Sequence, residues 1–565
     1  MSWLDETKVK LADKVNQIAG DKIVSANDFV FPPQAEMGDL SLACFALATA
    51  MKKSPMVLAQ ELVSQIGTYE LIAGMKASGP YLNFTLNKTA VATGVLAEII
   101  AQKEKYGCND FGHGEQVMIE FSNANTHKEY HVGHLRNIAY GDSVARILAA
   151  NGYNVLPVSY INDFGIHVAK TLWAYKKFVP AGGGASRGGY LLGQLYARAG
   201  KELAEHPEYK DEIGAIMQQI ESRQGEYYKL WQETRQWSID QFAKIYEQLG
   251  VKFVKIYYES EVIAHGLDIV TDLSTKDILV QSEGALIADL QADKLGVLPI
   301  LRSDGTALYP VADLALAIKK FAEYDLALSL YVVDIRQSLY FKQLFRLLEL
   351  AGYRQKTAHL PYEFVKLPDG MMSSRSGRII TYEDLNKEAV DKAFRETKLR
   401  HQDWSAEDVE AAAQVLATGA LKFEMIKVGA DKTITFDMDS ALQFEGFTAG
   451  YLQYAVARIN SLLEKFSLAT AVDYTVLDQA LEKQLLLFLA QYPGCLAKAA
   501  ATYQPAELAK YLFALAQLFS DYYHQVNIGQ AEDTVRAARL AMAAAVRQVL
   551  ENGLALLGIG TVKQM

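Results

Sequence analysis

Three continuous apolar runs in the middle of the chain, each followed by polar residues and then by a helical pattern, constrain the fold most strongly. The runs read QVMIEF, YNVLPVSYI and DLALSLYVVDI. Continuously apolar strands are typical of a parallel sheet, because crossover helices cover both of its faces. The alternation of such strands with helices therefore predicts an α/β fold with a parallel sheet for residues 113–404.

The segments on either side of this region follow other patterns. Residues 1–112 mix short helices with strand-like segments: SGPYLNFTLN (78–87) reads as a strand, and residues 88–107 read as a helix that ends at Gly107. Residues 405–565 are rich in alanine, leucine and tyrosine, and their helical periodicity predicts a bundle. A chain of 565 residues is too long for one core, so we expect an α+β, an α/β and an all-α domain with these boundaries.

The composition excludes several classes of protein. The 56 basic and 66 acidic residues leave a net charge of −10, which does not indicate a globally basic nucleic-acid binder but leaves a local basic face open. No stretch approaches twenty uninterrupted apolar residues, so we expect no membrane span. The charged N-terminus lacks the apolar core of a secretion signal, and Cys44, Cys108 and Cys495 are too scattered for a disulfide framework or a cysteine-rich zinc site. We expect a cytosolic protein.

The segment FSNANTHKEYHVGH joins the first apolar run to a helical pattern. A helix N-terminus offers free N–H groups and a positive dipole end, which suit phosphate. The imidazoles of His131 and His134 would add donors there, and Gly133 would let a flat ring approach the backbone. This arrangement predicts a site for a nucleoside triphosphate undergoing displacement at phosphorus. The alternative is two incidental surface histidines, although HxGH is expected by chance only on the order of 0.01 times in such a chain.

HVGH resembles the HIGH motif of class I aminoacyl-tRNA synthetases, and NANTHKEYHVGHLRN is close to the form found in arginyl-tRNA synthetases. Further stretches resemble that family in the same order along the chain: YINDFGIHV, RSDGTALYPVADLALA, DGMMSSRSGRIITYEDL, FDMDSALQFEGFTAGYLQYAVARI and the C-terminal LLGIGTVKQM. The resemblance implies a Rossmann-like catalytic domain, an N-terminal additional domain that contacts the tRNA core and a C-terminal helix bundle that reads the anticodon.

The resemblance also implies the reaction. The family attaches L-arginine to tRNA(Arg) through an arginyl-adenylate, with ATP and Mg²⁺ and without a structural zinc, and releases AMP and pyrophosphate. We expect a monomer with no membrane partner. By family position, Lys128, His131 and His134 are implied to be catalytic. The residues implied to bind ATP are His131, Gly133, His134, Met372, Ser373, Ser374 and Arg375.

Arginine needs a carboxylate for its guanidinium group. RSDGTALY reads as a hairpin that turns at Asp304 and Gly305, with a helix starting near Val311. Tyr309 would then lie at a strand end and Asp313 in the first helical turn. The family positions imply that these two contact the substrate side chain. For Asp313 the alternative is a carboxylate that merely favours a helix N-terminus.

Three more positions are implied to hold the amino acid: Glu120, Asn125 and Gln337. Glu120 lies in an apolar strand, where an unpaired carboxylate would be costly. Gln337 follows another apolar strand, and an ordinary strand-end glutamine is its alternative interpretation. In the C-terminal bundle, Tyr454 and Met565 are implied to contact tRNA, whereas both residues could instead belong to the core.

Several positions depart from the family pattern. Glu129 replaces a proline, Tyr340 replaces a frequent histidine, and Gln564 replaces an arginine. The loop motif that usually reads KMSKS has Met371 and Ser374 at its lysine positions. Arginyl enzymes without the second lysine tend to carry one at the position of Lys128, which could otherwise be a solvated loop residue.

Two other functions stay open on the sequence. A cysteinyl or other class I synthetase would share the helical C-terminal domain, but the scattered cysteines disfavour the zinc site of the cysteinyl enzymes. A non-enzymatic RNA-binding relative would not need the intact HVGH motif. The run AGGGASRGG (181–189) predicts an exposed, flexible loop.

Overall fold

The structure is a computed structural model that describes residues 1–180, 188–366, 368, 380–466, 469 and 471–565. Its first 102 residues form an antiparallel sheet in the order β1-β2-β4-β3 with helices packed against it. The elements of this N-terminal unit are α1 (Trp3–Ala19), β1 (Phe29–Val30), β2 (Leu40–Ala43), α2 (Phe45–Met51), α3 (Pro55–Ile66), β3 (Ile72–Ser78), β4 (Tyr81–Leu86) and α4 (Lys88–Gln102).

Two predicted boundaries in this unit are wrong. The segment 78–87 includes the end of β3 and a turn at Gly79, whose φ of 58° is in the left-handed region, and only then becomes β4. Helix α4 ends at Gln102 rather than at Gly107. The chain leaves the helix because Tyr106 is buried, with its hydroxyl donating to the Leu489 carbonyl over 3.0 Å.

The three apolar runs form β5, β6 and β11 of a five-stranded sheet in the order β12-β11-β5-β6-β7, and every neighbouring pair is parallel, as predicted. The strands of the central region are β5 (Gln116–Glu120), β6 (Asn154–Ile161), β7 (Lys255–Tyr258), β8 (Val280–Ser282), β9 (Ala285–Asp289), β10 (Val297–Leu301), β11 (Leu328–Asp334), β12 (Lys356–Tyr362) and β13 (Val365–Lys366). Strands β8 to β10 form a separate antiparallel sheet. This central region therefore has the predicted α/β architecture.

Helices connect these strands. They are α5 (Val132–Ala150), α6 (Ile166–Phe178), α7 (Gly188–Glu205), α8 (Tyr209–Glu221), α9 (Gly225–Gln248), α10 (Glu259–Thr275), α11 (Tyr309–Glu323), α12 (Ser338–Leu350) and α13 (Tyr382–Arg400). Helices α6 to α9 have their own apolar core, which includes Trp173 and Trp231. Residues 181–187 of the predicted glycine-rich loop lie outside the described residues. Gly188 and Gly189 begin α7 instead, because Gly189 packs tightly on Gln241.

The rest of the described chain is almost entirely helical, as predicted. Its elements are α14 (Ala406–Ile426), β14 (Ile434–Thr435), α15 (Met438–Ala441), α16 (Ala449–Lys465), α17 (Ala480–Leu489), α18 (Tyr492–Thr502), α19 (Pro505–Gln525) and α20 (Asp533–Leu556). By length and composition, Ala480–Thr502 could cross a membrane, but half of its apolar window is buried inside the fold. Leu485 and Leu496 of this segment are core residues of the bundle.

Candidate active site

A cavity of about 1060 Å³ opens at the carboxyl edge of the parallel sheet, where ligands bind in open α/β folds. The β5–α5 loop, the ends of β6 and β11, and the first turns of α11 and α12 form its wall. Nine of the residues predicted to bind ATP or arginine, or to act in catalysis, line this one cavity: Glu120, Asn125, Lys128, His131, Gly133, His134, Tyr309, Asp313 and Gln337.

The two histidines are held by the start of α5. His131 is the N-cap residue, and its Nδ1 accepts a hydrogen bond from the Gly133 N–H over 3.1 Å. Nδ1 of His134 accepts from the His131 N–H over 3.2 Å, and the two ring centroids lie 4.0 Å apart. Because each Nδ1 is an acceptor, a neutral ring carries its proton on Nε2. Both imidazoles therefore have one N–H donor that has no partner among the residues that the structure describes.

Burial keeps both rings uncharged at neutral pH. It lowers the pKa of His131 to about 4 and that of His134 well below its usual value, with neighbouring Lys128 adding to both shifts. Gly133 is required by the same geometry, because a Cβ atom there would lie 2.9 Å from Cε1 of His131. Gly133 is expected to let a flat ring approach the backbone, and in the structure the ring of His131 is one that does so.

Lys128 lies in the β5–α5 loop, which α6 supports through a 3.2 Å hydrogen bond from the Thr171 hydroxyl to the His127 carbonyl. The Lys128 ammonium lies 5.1 Å from the centroid of the Tyr196 ring. Among the described residues, none supplies a carboxylate within ion-pair distance of it. Burial lowers the pKa of Lys128, and the charge of Lys170 lowers it further. The ammonium therefore faces the cavity as an available cation.

Asp313 and Tyr309 lie on one face of α11, which begins at Tyr309, two residues before Val311, with Leu308 as its N-cap and Pro310 in its first turn. The predictions that Tyr309 lies at a strand end and Asp313 in the first helical turn are wrong, because Tyr309 is the first residue of the helix and Asp313 lies in its second turn. The predicted hairpin before α11 is confirmed by the Arg302–Thr306 backbone pairing. Tyr309 is 76% exposed at the cavity mouth, and Asp313 lies one turn deeper. Burial raises the pKa of Asp313 to about 7.

Glu120 is 3% exposed at the end of β5, and both of its carboxylate oxygens accept hydrogen bonds. Lys320 of α11 donates to Oε2, and the Asn123 amide donates to Oε1 over 3.0 Å. Asn125 pairs with Asn162 in a bridge that extends the β5–β6 ladder beyond Glu120. Gln337 is exposed immediately before α12, on the opposite wall.

Met372, Ser373, Ser374 and Arg375 lie outside the described residues. The chain beyond that loop is described from Ile380, and it returns to the histidines. The Tyr382 N–H donates to the Tyr130 carbonyl over 2.7 Å, and Thr381 pairs with His131.

Several polar groups of this cavity are not among the predicted site residues. Tyr340, which differs from the family pattern, donates a hydrogen bond from its hydroxyl to Asp313. The buried hydroxyls of Tyr160 and Tyr331 line the cavity and have no hydrogen-bond partner within the described part of the chain. The sequence contained one indication that polar groups are buried near Asp313. Lys320 is a basic residue in an apolar helix, seven positions after Asp313 and therefore on the same helix face.

A second cavity, of about 620 Å³, lies in the C-terminal bundle and brings Tyr454 and Met565 together. Tyr454 is 37% exposed, so the alternative of a core residue is wrong for it. Arg458, Tyr523 and His524 also line this cavity, and the guanidinium of Arg458 lies 4.0 Å from the Tyr523 ring. Aromatic and cationic groups of this kind can stack on an unpaired base.

Glu129, which replaces the proline of the family pattern, packs against α7. Glu129 is partly buried where the loop crosses α7, and a Cβ atom at Gly193 would lie 2.6 Å from its Cγ.

Across the described residues, no group of three or more His, Cys, Asp or Glu side chains is arranged to hold a metal ion.

Comparisons with known proteins agree with this site. Residues 95–437 match the family model of class I tRNA synthetases (R), catalytic domain; residues 452–565 match the DALR anticodon binding domain; residues 5–86 match the arginyl-tRNA synthetase N-terminal domain. The parallel sheet, the paired histidines at the start of α5 and the first of these matches define a class I aminoacyl-tRNA synthetase.

Relatives narrow the class to one family. The chain is 37% identical to the arginine–tRNA ligase of Bdellovibrio bacteriovorus over 98% of both chains, and 32% identical to that of Halothermothrix orenii over 99% of both. It resembles the solved Thermus thermophilus arginyl-tRNA synthetase with a TM-score of 0.83, at 28% identity over 98% of this chain and 99% of that one. The chain belongs to the arginyl-tRNA synthetase family and is an ATP-using arginine–tRNA ligase.

Proposed function

We propose that the cavity at the sheet edge binds arginine and ATP side by side and that its residues carry out both steps of the ligase reaction. The arginine carboxylate attacks the α-phosphorus of ATP and displaces pyrophosphate. The terminal ribose hydroxyl of tRNA(Arg) then attacks the adenylate carbonyl and displaces AMP. One observation carries this proposal: residues predicted from three separate stretches of sequence line a single cavity.

Phosphate oxygens are the proposed partners of Lys128, His131 and His134. The two neutral imidazoles present Nε2–H donors whose direction is set by the backbone, which costs no reorganisation when charge develops on phosphate. Lys128 acts as a point charge as pyrophosphate departs. These three groups are donors or cations rather than Mg²⁺ ligands, so we expect Mg²⁺ to arrive on the phosphates of ATP. By family position, Met372, Ser373, Ser374 and Arg375 are proposed to bind the same nucleotide.

The amino acid is proposed to lie between α11 and the end of β5. Asp313 pairs with the guanidinium group beside Tyr309, because a carboxylate matches its paired N–H donors. Glu120, Asn125 and Gln337 hold the main-chain groups of the substrate. The nearby hydroxyls of Tyr160 and Tyr331 offer further hydrogen bonds.

The proposed tRNA contacts lie outside this cavity. The N-terminal unit (1–112) contacts the tRNA core, the catalytic region spans 113–404, and the bundle (405–565) reads the anticodon with Tyr454 and Met565. We propose that the protein acts as a cytosolic monomer that needs no structural zinc. Aromatic side chains at the second cavity support this anticodon role, since they can stack on splayed bases.

Aminoacylation of total tRNA with each of the twenty amino acids in turn tests the proposal. We expect charging with arginine alone, and its loss in a His134→Asn variant that still binds tRNA. Charging with cysteine or another amino acid would support a different class I specificity. Binding of tRNA without charging by the parent protein would support the non-enzymatic alternative.

A further inference from the structure

Lys320 is a fully buried lysine directly behind the cavity wall. It is 0% exposed, and its ammonium donates to Glu120 while lying 4.8 Å from the Tyr331 ring centroid and 5.7 Å from that of Tyr257. Lysine is almost never fully buried unless it is paired. Lys320 itself does not line the cavity, so it can act on a bound ligand only through its effect on the neighbouring carboxylates, Glu120 and Asp313.

The fold sets Glu120 between two groups of the same helix. Asp313 and Lys320 are seven residues apart on α11, which is about two turns or 10 Å along one face. Glu120 approaches this face from β5, where it lies opposite Tyr331 of β11. Lys320 and Asn123 hold its two oxygens. Because carboxylate oxygens have several lone-pair positions, Glu120 can still accept from a ligand in the cavity.

The two carboxylates of this pocket would otherwise disfavour each other's charge. Two like charges in a site of low polarity make one of the groups hold its proton. Burial, together with the charge of Glu120, raises the pKa of Asp313 to about 7, although the Tyr340 hydrogen bond and the charge of Lys320 lower it. The ammonium of Lys320 therefore opposes the repulsion between the carboxylates.

We propose that Lys320 is a positioning residue for arginine recognition: it fixes Glu120 as a charged acceptor for the substrate ammonium and leaves Asp313 able to take a charge for the guanidinium. When both carboxylates are ionised, Glu120, Asp313 and Lys320 together carry one negative charge. Free arginine carries one net positive charge, so pocket and substrate match. The inference rests on the proposed binding of arginine in this cavity.

Other titratable or charged groups face Asp313 and Glu120 from each element packed around them. They are Tyr160 on β6, Tyr257 on β7, Glu259 on α10, Tyr331 on β11 and Tyr340 on α12. All are tyrosines or acids. Lys320 is the one basic group among the described residues that interacts directly with either carboxylate.

The test compares Lys320→Met with Lys320→Arg. We expect Lys320→Met to raise the KM for arginine at least tenfold at pH 7, with a smaller change in kcat and in the KM for ATP. Loss of the cation disfavours ionised carboxylates, so the midpoint of the kcat/KM profile for arginine should move up by about 1 pH unit. Lys320→Arg keeps the charge and should restore most of the affinity and the parent midpoint.

Lys422 provides a matched control. It is also 0% exposed and pairs with a buried carboxylate, Asp142, over 2.9 Å, but neither residue lines the cavity. Lys422→Met should lower thermal stability and leave the arginine KM and the pH midpoint unchanged. If Lys320→Met behaves like Lys422→Met, the positioning role is overturned.

A second variant keeps the test decisive if Lys320→Met does not fold. Glu120→Gln combined with Lys320→Met leaves no unpaired buried charge. We expect the parent to bind arginine at least tenfold more tightly than des-amino arginine, and the double variant to lose this preference. A preserved preference would overturn the inference. An Asp313→Asn variant with unchanged arginine affinity would instead overturn the proposed function.

Discussion

The hydroxyl of Tyr340 on α12 donates a hydrogen bond to the carboxylate of Asp313 on α11 inside the cavity. Tyr340 is the residue that replaces a frequent histidine of the family. The contact joins two helices that approach the cavity from different sides, and it gives Asp313 a donor in the absence of substrate. A group that stabilises the charged carboxylate also lowers its pKa, against the effect of burial.

Tyr340→Phe should weaken arginine binding by about tenfold, because a hydrogen bond to a charged group contributes roughly 1.5–3 kcal/mol. The aromatic ring, which meets Phe341 edge to face, would be kept. The KM for arginine and the KM for ATP would be measured in parallel. An equal rise in both would show that the variant perturbs the site as a whole rather than Asp313.

The pH dependence of arginine use should report Asp313. With a pKa of about 7 in the free enzyme, Asp313 is protonated below pH 7 and ionised above it, so kcat/KM for arginine should rise through pH 7 and then level off. Burial raises the pKa of Glu259 to about 7 as well, which makes Glu259→Gln the necessary comparison. The rise should persist in Glu259→Gln and vanish, with most activity, in Asp313→Asn.

His134→Asn should slow arginyl-adenylate formation by about 10²–10³-fold while arginine binding is spared, because one donor to developing charge is lost. The asparagine Oδ1 can replace Nδ1 as acceptor for the His131 N–H, so the start of α5 is kept. Single-turnover kinetics measure the step. A rate within threefold of the parent would exclude His134 from phosphate stabilisation. Since the pKa of His131 is about 4, the same step should show no histidine titration between pH 6 and 9.

Lys128→Ala should strongly depress adenylate formation without affecting arginine binding, because no other lysine is expected at the phosphates. Adding Ser374→Lys should recover part of the loss, and the two changes should be non-additive in a double-mutant cycle. Lys170→Ala is the matched control, since Lys170 is a neighbouring cation that does not line the cavity. Full activity of Lys128→Ala would refute the role.

Removal of Gln564 and Met565 should raise the KM for tRNA severalfold and leave the KM for arginine and for ATP unchanged. Met565 lines the second cavity together with Tyr454, far along the chain from the catalytic motifs. Tyr454→Ala should act in the same direction, whereas Tyr454→Phe keeps the stacking surface and should not. An unchanged tRNA KM after truncation would remove Met565 from the proposed anticodon site.

The features that were predicted correctly, such as the buried strands and the start of α5, are those that short segments of sequence determine locally. The apolar runs that form β5 and β11 and the second half of β6 are largely buried, so their apolar character does not depend on which strand lies beside them. The position of the HVGH motif at a strand–helix junction was predicted correctly because a continuous apolar run ends shortly before it and helical periodicity begins with it. Element ends were less predictable: α4 stops early because Tyr106 is drawn into a bundle that lies some 380 residues later in the sequence.

The amino-acid sequence by itself determined the alternation of strands and helices, the identity of the family and nine of the residues that line the cavity at the sheet edge. Only the tertiary structure decided which charges face one another. Lys320 and Glu120 are 200 residues apart, and Tyr340 and Asp313 lie on different helices. Ionisation depends on burial and on partners within a few ångströms, and neither is a property of local sequence. The sequence therefore predicted that Glu120 and Asp313 lie in the site, but their charge states depend on how the folded chain packs around them.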